Sequence, residues 1–294
     1  MNLKLRVMSV IISALLVMVL TSPLTAANFL WQVTSKEGGQ AYVLGSIHLA
    51  QEGLYPLRDR IMEAFHRSGR LVVELDVQAI DHEKMTRYVA KHGFSSDNRT
   101  LEERLSPETR SILKQSGFKT ALLNPLKPWM AALALQLDVM HQYGYDEEYG
   151  LDRFFLTEAK ARGLAIIELE TLGEQMEPLV NMTEEESDLF FRATILELKN
   201  LPNIINAMFD AWVEGDADGF GDIFFQEYDA YPELVPVLDK VVFHRNDKMA
   251  ARIKKLLSRP SREPYFIVIG AGHLVGPKNV LTRLKEKGCD VTQL

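Results

Sequence analysis

Apolar and polar positions along this chain follow two regimes. Near both ends and around residue 165, short apolar runs stop on a glycine or a carboxylate. Between them, apolar positions recur at helical spacing over long stretches. Residues 28–35 and 40–45 alternate around Lys36-Glu37-Gly38-Gly39, which predicts a β-hairpin. Pro56 opens a helix that reaches Ser68, with proline at a favoured first-turn position. Residues 71–76 form an apolar run ending in carboxylates, read as a buried strand. Residues 81–92 read as a helix, and Ser106-Pro107-Glu108 supplies the cap, proline and acid that open another. Residues 128–143 are strongly apolar and helical. Residues 151–161 are amphipathic and stop at Gly163. Residues 164–170 repeat the strand-to-carboxylate pattern of 71–76. From about 183 to 257 the pattern is helical, broken near Pro202, Gly215, Gly219, Gly221, Pro232 and Pro236, with a last helix over 247–257. A strand over 265–269, a helix over 277–287 and a strand over 289–292 complete the chain. The fold class expected is α/β (mixed α+β): a central mixed, partly parallel sheet assembled from distant segments and covered by large helical lobes. Residues 28–294 form one domain, with no linker-like stretch inside it.

One short pattern occurs twice. Gly45-Ser46-Ile47-His48 follows Tyr42-Val43-Leu44, and Gly270-Ala271-Gly272-His273 follows Phe266-Ile267-Val268-Ile269. Each is a buried strand that reaches a glycine and then a histidine three residues on. In partly parallel sheets, ligands sit outside the carboxyl ends of strands. Gly45-x-x-His48, Gly270-x-x-His273, Glu74 and the pair Glu168/Glu170 all fall at such ends. Neutral imidazole is the commonest protein ligand of divalent metals and also a base near neutral pH. Glu74 is either a strand end meeting water or the carboxylate of a His/His/Glu metal set. Glu168 and Glu170 share a face of one strand, and Glu168 breaks its apolar run as Glu74 does, so Glu168 is the favoured member. Asp76 either supports the site or meets water. Asp152 reads first as a helix-start charge. Arg245 and Asn246 open a helix and are either solvated there or placed to position substrate. His66, His82, His92, His141 and His244 read as surface or packing residues.

Composition narrows the classes. The chain has 294 residues, 47% of them hydrophobic, enough for a sizeable core. Lys4 and Arg6, an apolar run over 7–20 and Thr25-Ala26-Ala27 read as a signal peptide over 1–27, with an uncleaved anchor as the alternative. The expectation is an exported protein, periplasmic or secreted, with no membrane span in the mature chain. Net charge is −7, and −9 without the two basic residues of that segment. Such acidity, with no Lys/Arg cluster and no phosphate loop, argues against nucleic acid as a partner. The single cysteine, Cys289, excludes an internal disulfide and reads as a buried residue of the last strand.

These residues resemble the TraB/GumN family, whose animal relatives include the Tiki proteases. The carriers are Leu44-Gly45-Ser46-Ile47-His48, Val72-Val73-Glu74-Leu75-Asp76, Gly150-Leu151-Asp152, Ile167-Glu168-Leu169-Glu170, Arg245-Asn246 with Met249, and Gly270 to Gly276. The resemblance covers the chain from about residue 28 and implies a fold shared with erythromycin-esterase-like and haem-binding ChaN-like proteins. It further implies metal-dependent peptide cleavage, with His48, His273 and Glu74 at the metal and Mn²⁺ or Co²⁺ bound. The ligand types by themselves also allow Zn²⁺. The expected function is therefore an exported metal-dependent hydrolase acting on a peptide or protein. Glu74 is a ligand or base, and Arg245 and Asn246 position substrate or stabilise an oxyanion. The rival expectation is a non-catalytic haem-, metal- or peptide-binding protein of the same fold.

Overall fold

The computed structural model of the chain describes residues 28–118 and 121–294. The signal-peptide reading of residues 1–27 lies outside the described residues. Six strands form one sheet: β1 (Leu30–Ser35), β2 (Gln40–Ser46), β3 (Arg70–Val73), β4 (Ala165–Glu168), β5 (Tyr265–Gly270) and β6 (Cys289–Gln293). Their order is β4-β3-β5-β2-β1-β6. The first four in that order run parallel, while β1 is antiparallel to both β2 and β6. The expected hairpin is therefore present, and the sheet is mixed and built from distant segments.

The pattern at each strand explains its place. All six residues of β5 are buried, as an apolar run without alternation requires at the centre of a parallel sheet. β4, half-exposed, takes the edge. β6 alternates buried and exposed at the opposite edge and buries Cys289. Phe65 of helix α1 (Asp59–His66) and Phe155 further along the chain both meet the Phe266 ring, with centroids 5.3 and 4.8 Å away. Each large apolar side chain buried this way contributes about 1.5–3 kcal/mol.

Between β3 and β4 lie α2 (His82–Gly93), α3 (Leu101–Arg104), α4 (Pro107–Ser116), α5 (Pro128–Gln142) and α6 (Leu151–Ala161). The Asp81 and Ser106 side chains accept hydrogen bonds from backbone N–H groups of the first turns of α2 and α4, satisfying donors that a helix start leaves open. Between β4 and β5 lie α7 (Leu172–Val180), α8 (Glu184–Glu197), α9 (Leu201–Glu214), α10 (Ala217–Ala230), α11 (Val235–Leu238) and α12 (His244–Leu256). α13 (Val280–Glu286) precedes β6. Helices α3, α4, α5 and α8 close a second apolar cluster around Leu101, Leu135 and Phe191, away from the sheet. This is a helical lobe.

Four helix expectations need correction. Pro56 does not open its helix, which begins at Asp59 and ends at His66. Gly219 and Gly221 do not break a helix; both lie inside α10. Gly221 is buried, and tertiary packing outweighs the roughly 1 kcal/mol that a mid-helix glycine costs. The last long helix starts at His244 rather than at 247, because a π-helical turn over Asp239–Phe243 carries the chain from α11 into α12 without a break. The helix expected from residue 277 begins at Val280, where Asn279 caps it. Among the described residues, no helix is long and apolar enough to cross a membrane.

Candidate functional site

Strand register assembles the site. β3, β5 and β2 are neighbours, with Ser46 opposite Gly270 and Val73 opposite Val268. Their carboxyl ends therefore share one edge, and His48, Glu74 and His273 all leave the sheet there. At the end of β4, backbone pairing continues beyond the strand: the Glu170 N–H donates to the Glu74 carbonyl at 2.8 Å. This brings Glu170 to the same place.

Each histidine is held from behind by an oxygen acceptor. Nδ1 of His48 lies 2.7 Å from Asp152 Oδ2. Asp152, in the first turn of α6, also accepts from the Ser46 hydroxyl. Nδ1 of His273 lies 2.6 Å from Asn246 Oδ1, while the Asn246 amide donates to the Lys278 carbonyl at 3.0 Å. Since Asn246 spends its amide group on that carbonyl, its oxygen faces His273 and fixes the proton on Nδ1. Nε2 of His273 is then a lone pair, 3.9 Å from Glu74 Oε1. Nε2 of His48 borders the same space: a Cβ added at Gly270 would sit 3.1 Å from it and 3.2 Å from Glu74 Oε1. Glycine at 270 thus leaves room for three groups to face one another, with an ordinary backbone conformation (φ −51°, ψ 134°).

Glu74 is 3% exposed. Its Oε1 accepts from the Gly270 N–H at 2.6 Å. Its Oε2 accepts from Arg245 at 2.6 Å and from Gln175 at 3.1 Å. Arg245 also forks onto Glu170, its Nε at 3.0 Å from Oε1 and Nη2 at 2.6 Å from Oε2. Burial by itself would raise the Glu74 carboxyl. The imidazoles, Arg245 and the Gly270 N–H outweigh it and hold the group at about 2. Burial pulls His273 down to about 4, against the pull of Glu74, so it is neutral at pH 7. Asp152 raises His48 above the ordinary histidine value. Water reaches 60% of the His48 side chain and screens that pair.

The structure brings together His48, His273, Glu74, Glu170, Arg245, Asn246 and Asp152. Glu168 is not among them: it is exposed, and its Oε1 accepts from the Asp76 N–H at 2.8 Å. Alternation along one strand would set Glu168 and Glu170 on the same face, but β4 ends at Glu168, so the alternation stops there. Asp76 is 8% exposed and pairs with Lys160 at 3.2 Å. Asp152 is more than a helix-start charge, since it orients His48. Asn246 is fully buried behind His273, so it positions that ring rather than meeting a substrate. Arg245 lines the adjoining cavity, but its Nε and Nη2 are spent on the two glutamates. Pattern reading missed Gln175, whose helix α7 was not expected. The signal for it was present, because Thr171 and Glu174 form a capping box at its start. It also missed Trp212, which donates to the Gly45 carbonyl at 2.7 Å and pins the first turn.

The donor types are those that hold divalent cations. Two imidazole Nε2 atoms and a carboxylate oxygen face one space, and the Nδ1–oxygen pairs behind the rings are the supports that metal-binding histidines use. Among the described residues, the three groups whose ligand atoms all lie within 4.8 Å of one another are His141, Asp146 and Glu147, at the surface. His48, Glu74 and His273 are spaced more widely than that.

Residues 29–293 match the TraB/PrgY/gumN family, and the chain belongs to that family. It is 24% identical over 273 residues to the uncharacterized protein YbaP of Shigella flexneri, covering 90% of this chain and 97% of that protein. Against YbaP of Escherichia coli it is 25% identical over 248 residues, covering 83% and 87%. A segment of 58 residues is 45% identical to the metalloprotease TIKI homolog of Amphimedon queenslandica, covering 20% of this chain and 11% of that protein. No solved structure matches the chain.

Proposed function

We propose that this protein is an exported, metal-dependent hydrolase that cleaves a peptide or protein. The observation that carries the reading is the convergence of His48 and His273, each backed at Nδ1 by an oxygen acceptor, on one space beside Glu74. The partial likeness to TIKI metalloproteases supports the same reaction class. His48 and His273 would hold the ion, with Glu74 as third ligand. A divalent ion there would supply Lewis acidity toward a scissile carbonyl. A carboxylate held at about 2 is a weak proton acceptor at neutral pH, so Glu74 is better suited to holding and orienting than to general base work. Arg245 fixes Glu74 and Glu170, Asp152 fixes His48, and Asn246 fixes His273 in the tautomer that presents Nε2.

The test is metal content of the purified protein after dialysis and reloading with Mn²⁺, Co²⁺ or Zn²⁺, beside His48→Ala and His273→Ala. Near-stoichiometric metal that both variants lose is expected, together with loss of peptide cleavage while the circular dichroism spectrum is kept. Full turnover by either variant would overturn the reading. A haem Soret band that depends on the same histidines, in a protein that takes up no metal, would put a binding role in its place.

A further inference from the structure

The histidines form one end of a cavity of about 340 Å³. Ser46, His48, Arg245 and His273 make its polar end, and the remaining wall is largely apolar. The phenol of Tyr145 in that wall is satisfied, donating to Asn206 at 2.5 Å. A second cavity of about 470 Å³ opens further along, and Gln136 is the one polar residue lining it. Leu49, Met140, Ile205, Met208 and Phe224 line both cavities. Together they form one apolar groove running from the histidines between α5, α9 and α10. The second histidine motif contributes to it, since a Cβ at Gly272 would lie 2.7 Å from the Phe224 ring. Any side chain there would push Phe224 out of the wall.

We propose that this groove is a specificity subsite that selects large apolar side chains of an extended peptide, a reading that rests on the hydrolase assignment above. Pockets of this size, apolar with a few convergent polar groups, hold ligands by burying apolar surface and orient them at the polar end. His48 and His273 line both the polar end and the proposed ion site, so a chain held there for cleavage has its neighbouring side chain at the apolar wall. Charged side chains would lose their hydration along walls that offer no counter-charge. Met140 and Met208 are unbranched and adaptable, so the groove would accept several large apolar shapes rather than one.

The experiment uses metal-free protein, so that binding is read without turnover. Dye-labelled peptides carry Leu, Phe or Met, or else Asp, Lys or Gly, at each position in turn, and binding is followed by fluorescence anisotropy. At one or two positions, Leu, Phe and Met should bind at least tenfold more tightly than Asp, Lys or Gly. Met208→Trp should abolish that preference by filling the groove. Met208→Ala should shift it toward larger residues such as Trp. A flat profile, or a preference that neither variant changes, would overturn the proposal. The two readings fail separately. Selective binding without cleavage under any metal would remove the hydrolase assignment and leave the groove. Cleavage without apolar preference would remove the groove and leave the hydrolase.

Discussion

Arg245 holds two carboxylates that water barely reaches. The Glu74 side chain is 4% exposed, the Glu170 side chain 0% and Arg245 itself 12%. Removing one partner of a buried ion pair leaves an uncompensated charge and costs about 3–5 kcal/mol. Arg245→Met should therefore destabilise the metal-free protein by about that much in urea denaturation. Adding Glu170→Gln should recover part of the loss, because one of the two stranded charges is removed. Equal stability of the single and double variants would show that the loss comes from Glu74 rather than from Glu170. Arg245→Lys should recover little, since an ammonium cannot fork onto Glu170 and reach Glu74 together.

At the level of elements, the turn leaving β5 carries the most information per residue. Gly270 has a backbone conformation open to any residue, so its value is space alone. In Gly270→Ala the new methyl would stand 3.1 Å from His48 Nε2 and 3.2 Å from Glu74 Oε1. Both side chains would have to give by tenths of an ångström. Metal affinity should fall about 10–100-fold, the range for disturbing the groups that orient ligands, while the melting temperature moves by only a few degrees. An unchanged affinity in a calorimetric titration would place the ion elsewhere. The strand-and-glycine pattern was legible in sequence because buried parallel strands are continuously apolar and stop abruptly. The same legibility failed at Glu168 and Glu170. Local alternation says which residues share a face, but not where the strand ends. Asp152 and Asn246 were legible as residues and not as partners. Each meets its histidine across 104 and 27 residues of chain respectively, a distance that no local pattern encodes. The helix α10 glycines misled for a related reason: propensity is local, whereas the close packing around them comes from the fold.

For the whole molecule, the two histidines set opposite pH limits on stability. Burial lowers His273 from 6.5 to about 4. Its folded form binds fewer protons than the unfolded chain between those values, so its stabilising contribution is complete above about 6.5 and is lost as pH falls toward 4. Asp152 raises His48 above 6.5. Its contribution is complete below about 6.5 and is lost as pH rises through the raised value. Of these two rings, His273 therefore acts on the acid side of pH 6.5 in the metal-free protein and His48 on the alkaline side. His273→Gln should flatten the acid flank between pH 6.5 and 4, a change on the order of 3 kcal/mol at full effect. His48→Ala should flatten the alkaline flank by a smaller amount, because solvent screens that pair. Thermal unfolding of the three proteins between pH 4 and 10 decides the matter. If His273→Gln keeps the wild-type acid slope, burial does not shift the His273 ring. His48, raised by Asp152 in the metal-free protein, has to release a proton before it can hold an ion, so metal affinity should fall as pH falls in either case.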